Sequence, residues 1–181
     1  MIITVTGTVG SGKSTIAQNL AKELGFERIY VGGIRREIAK QRGVTLEEYN
    51  TWSQTHPEGD IEVDNKIKEL MIGKDNVVLE GRVMHHFFPT AFKIYVTCDI
   101  EVAAQRILKD VQEGRRDEEG TATLQEVMTS ITTREHSDAL RYQKYYNLNI
   151  HDTSVYDFVL NTTHLSPQEA LDATLTAVQN T

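Results

Sequence analysis

A glycine-rich stretch near the amino terminus has the residue types and spacing of a phosphate-binding loop. It runs Gly7-Thr8-Val9-Gly10-Ser11-Gly12-Lys13-Ser14-Thr15, after an apolar β-branched run and before an amphipathic one. Backbone N–H groups of such a turn point into one cavity, and the following helix adds the positive end of its dipole. Lys13 would place a charge beside the β- and γ-phosphates, and Ser14 would offer a hydroxyl to Mg²⁺. The stretch therefore predicts a nucleoside triphosphate site.

Several arginines stand where they could neutralise phosphates near this loop. They are Arg36, Arg82, Arg106, Arg115, Arg116, Arg134 and Arg141. Arg134 and Arg141 are seven residues apart in one predicted helix, so they share a face about two turns apart. Guanidinium groups suit phosphate because their planar forks bind two oxygens and keep their charge. A single arginine is more often a surface ion pair, but this set favours phosphoryl transfer between two bound substrates.

The elements that must position these residues alternate between strand and helix five times. Strands are predicted at residues 1–6, 26–31, 76–80, 91–97 and 155–160, with the second strand ending at Gly32-Gly33 and a helix following from Ile34. This alternation predicts an α/β protein with a P-loop NTP-binding fold: a five-stranded parallel sheet with helices on both faces.

Residues 32–73 form a predicted run of short helices between the second and third strands. The run is longer than a simple crossover connection needs, so it predicts an inserted helical unit. Three later helices have the capping-box pattern at their first turn, which fixes where they begin. The boxes are Thr45-Leu46-Glu47-Glu48, Thr123-Leu124-Gln125-Glu126 and Ser166-Pro167-Gln168-Glu169.

Composition narrows the class of protein further. The 181 residues carry a formal net charge of -7, which disfavours general nucleic-acid binding because phosphate contacts need a basic surface. Cys98 is the only cysteine, so we expect neither an intrachain disulfide nor a cysteine zinc site. With neither a signal peptide nor an apolar run long enough for a membrane span, we expect a cytoplasmic protein that binds no membrane. We also expect a monomer.

The sequence has no D-x-x-G motif directly after a predicted strand and no N-K-x-D motif, both of which are typical of GTPases. This leaves a small-molecule kinase as the favoured class. Over nearly its whole length the chain resembles the nucleoside monophosphate kinases, and more closely the short archaeal-type cytidylate kinases. Similar segments include residues 32–39, 42–50 and 77–82. The most specific are Arg134-Glu135-His136-Ser137-Asp138-Ala139-Leu140-Arg141-Tyr142 and Ser154-Val155-Tyr156-Asp157-Phe158-Val159-Leu160-Asn161-Thr162.

The resemblance implies one kinase domain with three parts. The core would comprise about residues 1–31, 74–109 and 123–181, the monophosphate-binding insertion about residues 32–73, and a short lid about residues 110–122. Arg36 and Arg82 would hold the acceptor's phosphate, and Arg134 and Arg141 would bridge the donor and acceptor phosphates. Arg115 and Arg116 would belong to the lid. The implied reaction is ATP + CMP → ADP + CDP with Mg²⁺, in which Lys13, Arg82, Arg134 and Arg141 are catalytic.

Two carboxylate hypotheses complete the predicted site. Glu80 ends the third strand, at the edge where ligands of parallel sheets bind, and would hold a water on Mg²⁺. Asp60 and Asp64 are four residues apart in an inserted helix, so one or both could accept a hydrogen bond from the exocyclic amine of cytosine. Two alternatives stay open: a kinase of the same fold for another acceptor, such as AMP, UMP or another small metabolite, and a nucleotide-binding sensor without turnover.

Overall fold

A computed structural model of the protein describes residues 1–114 and 123–181. Its sheet has five strands, and all neighbouring strands pair in parallel in the order β2-β3-β1-β4-β5. The strands are β1 (Ile2–Gly7), β2 (Glu27–Tyr30), β3 (Val77–Glu80), β4 (Phe92–Thr97) and β5 (Phe158–Asn161). The five-stranded parallel sheet predicted from the sequence is confirmed.

Helices fill the connections between the strands. They are α1 (Lys13–Leu24), α2 (Val31–Gln41), α3 (Leu46–Ser53), α4 (Glu58–Met71), α5 (Met84–Phe87), α6 (Ile100–Gln112), α7 (Leu124–Tyr146) and α8 (Pro167–Gln179), with a 3₁₀ turn at Thr153–Val155. Thr45, Thr123 and Ser166 each form the reciprocal hydrogen bonds of a capping box. The helix starts predicted at those residues are confirmed.

Helices cover both faces of the sheet because successive side chains of a strand point to opposite sides. Val78 of β3 packs with α1 and α8 on one face. Val77 and Leu79 pack with α2, α3 and α4 on the other. A third apolar cluster joins Val9 to α6 and α7, and it supports the phosphate-binding loop from below. The three clusters fix the inserted helices and α7 against the same sheet.

The boundary predicted at Gly32-Gly33 is wrong. Helix α2 begins at Val31, directly after β2, and both glycines lie in its first turn. A Cβ on Gly32 would lie 2.8 Å from the ring of Tyr30, and one on Gly33 would lie 3.0 Å from it. The two glycines are therefore needed for close approach of the tyrosine ring to the helix, not for a break in the chain.

Smaller differences occur later in the chain. Helix α5 was not predicted, and a 3₁₀ turn occupies Thr153–Val155, so β5 begins at Phe158 and not at Val155. Residues 115–122, most of the predicted lid, lie outside the described part of the chain, and Arg115 and Arg116 are among them. Within the described residues, every helix is too short or too polar to cross a lipid bilayer.

The carboxyl ends of three neighbouring strands place the functional residues side by side. Val5 of β1 and Tyr30 of β2 both pair with Glu80 of β3. The phosphate-binding loop continues from β1, helix α2 continues from β2, and Arg82 follows Glu80. One edge of the sheet thus joins the loop, the acidic residue and the inserted helices, as expected for ligand sites in parallel sheets.

Packing of α4 gives a test of this arrangement. Ile67 is 1% exposed in the cluster beneath the inserted helices, whereas Ile61 on the same helix is 49% exposed. We expect Ile67→Ala to lower the free energy of unfolding by about 2–5 kcal/mol because it leaves a cavity. The matched variant Ile61→Ala should cost less than about 1 kcal/mol. Urea unfolding measures both, and equal losses would contradict the packing of α4 described here.

Candidate active site

A single cavity at the carboxyl edge of the sheet connects the phosphate-binding loop with the inserted helices. Its wall combines residues from the loop, the strand ends, α2, α3 and α7. They include Val9, Gly10, Lys13, Ser14, Tyr30, Arg35, Arg36, Leu46, Asn50, Glu80, Arg82, Arg134, Asp138, Arg141 and Tyr142. The structure therefore brings Lys13, Ser14 and Glu80 together with the four arginines that the sequence predicts at the site.

The loop has the backbone conformation of an anion site. Gly10 and Gly12 have φ values of 76° and 84°, in the left-handed region that glycine tolerates. A Cβ on Gly10 would also lie 2.8 Å from Ala103 of α6, so the loop lies directly on that helix. Gly12 is the N-cap of α1. The free N–H groups of the first turn of α1 consequently face the cavity side of the loop, where they suit a phosphate.

Lys13 lies beneath the loop with its ammonium group donating to the carbonyl oxygen of Thr8 at 3.2 Å. Burial, reinforced by the positive charges of Arg82 and Arg134, lowers the pKa of Lys13 to about 7. Glu80 and Glu135 oppose this shift. An anionic phosphate beside the ammonium group would favour its charged form, so binding of a polyphosphate should draw a proton onto Lys13.

Ser14 and Glu80 form the pair of oxygen donors that could hold a metal ion. The Ser14 hydroxyl donates to Glu80 Oε1 at 2.5 Å. Arg28 of β2 donates to the other oxygen, Glu80 Oε2, through both Nε and Nη2. Glu80 is 1% exposed, so its carboxylate is held rigidly. Hard oxygen donors next to a phosphate-binding loop fit Mg²⁺, which usually keeps phosphate and water ligands as well.

The described residues were also compared with the ligand sets of metal sites built from protein side chains alone. Within residues 1–114 and 123–181, no group of three or more histidine, cysteine, aspartate or glutamate side chains is placed to bind a metal. A site with few protein ligands is what a Mg²⁺–nucleotide complex requires, because the phosphates supply the remaining oxygens.

A buried row of alternating charges, here called the charge ladder, crosses the cavity floor. Its members in order are Arg82, Asp138, Arg141, Asp60 and Arg35. Successive nitrogen–oxygen distances are 3.1, 2.8, 2.9 and 2.9 Å. At one end, Arg82 Nη1 donates to the carbonyl oxygen of Gly7 at 2.7 Å. The ladder therefore ties the phosphate-binding loop to the inserted helices.

Two guanidinium nitrogens of the ladder remain available for a ligand. Arg82 Nη2 and Arg141 Nη1 are buried and have no hydrogen-bond partner among the residues that the structure describes. Arg141 Nε also makes no hydrogen bond there, but it is ion-paired with Asp60 Oδ2 at 2.9 Å. Buried polar groups are normally paired, so donors left over at a cavity wall mark a place for acceptor oxygens. Burial alone would raise the pKa of Asp138, but Arg82 and Arg141 hold it below its usual value. Asp138 therefore stays charged and keeps both arginines in place.

Arg36 and Arg134 complete the cationic wall from its more exposed side. Both side chains are exposed and line the cavity. Arg36 Nη1 donates to the Tyr30 hydroxyl at 2.6 Å, and this contact holds its guanidinium over the end of β2. Burial lowers the pKa of Arg134, and the nearby carboxylate of Asp138 opposes this shift.

The structure does not bring Asp60 and Asp64 to the cavity wall. Asp60 is 3% exposed, and its two oxygens face Arg35 and Arg141. Asp64 is also buried and accepts a hydrogen bond from the Tyr146 hydroxyl. Burial raises the pKa of both carboxyls. Asp60 lies behind Arg35 and Arg141, and Asp64 lies against Tyr146, so direct contact of either carboxylate with a base stays a prediction from the sequence.

Four residues of the site were not singled out from the sequence. Arg35 shares the spacing of the apolar residues Ile38 and Ala39, and a cation on the buried face of a helix is a signal that could have found it. Asp138 stands one turn before Arg141, which is a similar signal. Asn50 and Glu135 offered none, because their contacts are with distant parts of the chain. Glu135 accepts the backbone N–H of Val9 at 2.8 Å.

Comparisons with known proteins show which sequences this chain resembles. The sequence model of a family described as an AAA domain matches residues 3–126. The cytidylate kinase of Pyrococcus abyssi is 38% identical over 170 residues, which cover 93% of this chain and 88% of that protein. The cytidylate kinase of Methanococcoides burtonii is 35% identical over 161 residues, 89% of this chain and 87% of that protein.

Solved structures of other proteins have a fold similar to that of this chain. An uncharacterized protein from Eubacterium ventriosum superposes with a TM-score of 0.73 at 15% identity, covering 100% of this chain and 99% of that one. The shikimate kinase of Bacteroides thetaiotaomicron superposes with a TM-score of 0.61 at 18% identity, covering 99% of this chain and 96% of that one. At such identities the likeness concerns the fold.

The pKa of Lys13 predicts a proton linkage of ATP binding. With excess Mg²⁺, binding at pH 8 should take up roughly one proton, and the dissociation constant should rise about tenfold per pH unit above pH 7. Calorimetry in buffers of different ionisation enthalpy measures this uptake. Lys13→Arg is the control, because a guanidinium does not titrate there and its uptake should vanish. No uptake by the unsubstituted protein at pH 8 would contradict the environment described for Lys13.

Proposed function

The chain belongs to the cytidylate kinase family, and from that premise we propose that it transfers the γ-phosphoryl group of ATP to CMP, giving ADP and CDP. One observation carries the proposal. A single cavity has a phosphate-binding loop at one end, inserted helices at the other, and cationic side chains between them. Two phosphorylated substrates that meet end to end need that arrangement.

Alignment and charge neutralisation are the two tasks of the chain in this reaction. The attacking atom is an oxygen of the acceptor's phosphate, which is already anionic near neutral pH, so no general base is required. Lys13 would contact the β- and γ-phosphates, while Arg36 and Arg82 hold the acceptor's phosphate. Arg134 and Arg141 would contact both sides of the transferring group. Donors fixed before the substrates arrive stabilise the transition state without reorganising.

Mg²⁺ would supply, when bound, positive charge that neutralises the phosphates of ATP. Ser14 would be its direct ligand from the chain, and Glu80 would hold one of its waters. Arg28 supports this role because its two hydrogen bonds fix the Glu80 carboxylate in one orientation. The pairing of Ser14 with Glu80 at 2.5 Å keeps both oxygens at the same side of the loop.

The identity of the acceptor is the finer part of the proposal. CMP is favoured because the curated relatives are named cytidylate kinases over most of this chain's length. A kinase for AMP or UMP would use the same phosphate contacts, and a nucleotide sensor would need only the loop. The intact set of Lys13, Ser14 and the arginines favours turnover over a sensor. Direct contact of Asp60 or Asp64 with the cytosine amine stays a prediction.

We also propose a setting for the reaction. One chain supplies the loop, the arginines and the inserted helices, so a monomer suffices for activity. ATP is plentiful in the cytoplasm, where we propose that the protein acts. Arg115 and Arg116 would extend the cationic wall as part of a lid that keeps water from the phosphoryl group.

A panel of nucleoside monophosphates tests the proposal. ADP release in the presence of ATP and Mg²⁺ should be fastest with CMP and slow without an acceptor. Lys13→Ala should lower kcat at least about a hundredfold, because it removes a charge at the transferring phosphate. Lys22→Ala, on the exposed side of the same helix, is the matched control and should leave kcat unchanged.

The outcomes separate the alternatives. Faster ADP release with AMP or UMP than with CMP would show that CMP is not the preferred acceptor, while the assignment as a kinase would stand. If the protein binds ATP but no monophosphate increases the rate of ADP release, the result would instead support a nucleotide sensor.

A further inference from the structure

The order of contacts across the cavity indicates where the acceptor's nucleoside lies. The charge ladder starts at the phosphate-binding loop and ends at Arg35, which contacts Asn50 of α3. Donor phosphates bind at the loop, and the ladder's two free nitrogens mark the phosphates between the substrates. The nucleoside of the acceptor must therefore extend towards α3, where Leu46, Asn50 and Tyr142 line the wall.

The orientation of the Asn50 side chain is fixed by Arg35. Arg35 Nε donates to Asn50 Oδ1 at 2.7 Å. Arginine has no acceptor, so the oxygen of the amide must face Arg35 and its NH₂ group must point away from it. Asn50 is half-buried and lines the cavity. Its amide therefore offers a hydrogen-bond donor to a ligand on the α3 side.

Arg35 is itself held on three sides, so it cannot turn to release the amide. Its Nη1 donates to Asp60 Oδ1 at 2.9 Å, and its Nη2 donates to the Ser53 hydroxyl at 2.8 Å. The guanidinium also lies over the ring of Tyr49, 4.9 Å from its centroid. Because Arg35 is fixed in this way, the Asn50 amide keeps its oxygen towards Arg35 and its NH₂ group towards the cavity.

A fixed donor distinguishes the two pyrimidines at one ring atom. N3 of cytosine is a hydrogen-bond acceptor, whereas N3 of uracil carries a hydrogen and is a donor. A donor that faces N3 pairs with cytosine and opposes uracil. In a largely desolvated site, this mismatch leaves two donors unpaired, and such mismatches give strong discrimination.

We propose that Asn50 is the residue that selects cytosine over uracil, through a hydrogen bond from its NH₂ group to N3 of the base. Arg35 is the positioning residue that sets the polarity of this amide. The proposal rests on the proposed function, since it requires that the acceptor is a pyrimidine nucleoside monophosphate bound beside α3.

Asn50→Asp is the decisive variant because it keeps the size of the side chain and replaces the donor that faces the base with an acceptor. It also adds one negative charge, which acts on CMP and UMP alike because the two acceptors carry the same phosphate charge. The carboxylate still accepts from Arg35 Nε, but it presents an acceptor where the amide presented a donor. We expect the ratio of kcat/KM for CMP to kcat/KM for UMP to fall about 10- to 100-fold, with a gain for UMP itself. Asn65→Asp is the matched control, since this exposed asparagine lies in the groove between α2 and α4, and it should leave the ratio unchanged.

Asn50→Ala separates recognition from a structural role. Loss of the donor should lower kcat/KM for CMP and leave that for UMP nearly unchanged. If Asn50 only supported Arg35, both acceptors would lose activity alike in Asn50→Ala, and Asn50→Asp would keep the original ratio. Thermal unfolding of both variants, in parallel with the kinetics, identifies any loss that is due to misfolding.

The results distinguish failure of this inference from failure of the proposed function. A protein that prefers CMP, and whose preference survives Asn50→Asp within about twofold, overturns the role of Asn50 and leaves the kinase assignment intact. An unsubstituted protein that phosphorylates neither CMP nor UMP overturns both.

Discussion

The buried charge ladder is the interaction on which the rest of the site depends. Two aspartates, Asp138 and Asp60, each lie between two arginines, and the row reaches from the carbonyl of Gly7 to α3. Buried ion pairs add little stability, since desolvation offsets their attraction, but loss of one partner costs about 3–5 kcal/mol. What the ladder provides is therefore orientation: Arg82 and Arg141 are held so that Nη2 of the first and Nη1 of the second have no partner within the described part of the chain.

The sheet and α7 place the ladder where two substrates can meet. Parallel pairing sets Glu80 beside the end of β1, so Ser14 and Arg82 lie on the same edge. Helix α7 carries Arg134, Asp138 and Arg141 at positions i, i+4 and i+7, on one face. Because these contacts cross from the core to the inserted helices, the end of the cavity at α3 is tied to the end at the phosphate-binding loop.

Local patterns in the sequence predicted the parts of this structure that local chemistry decides. The phosphate-binding loop, the three capping boxes and the parallel sheet each follow from residues close together in the chain. The helix boundary predicted at Gly32-Gly33 was wrong because these glycines make room for the ring of Tyr30. The spacing of residues in the sequence does not reveal that contact. Likewise Arg35 and Asn50 emerge only when α2 and α3 pack together, and the same packing turns Asp60 towards the arginines.

We propose that ATP and the acceptor share one cavity, with their phosphates meeting at Arg82 and Arg141. A crystal structure with a bisubstrate analogue, adenosine and cytidine joined through a polyphosphate, tests it most directly. We predict polyphosphate oxygens within hydrogen-bond distance of Lys13 Nζ, Arg82 Nη2 and Arg141 Nη1, with cytosine beside α3. A cytidine moiety bound away from α3, or a polyphosphate that does not contact the two arginines, would contradict the account.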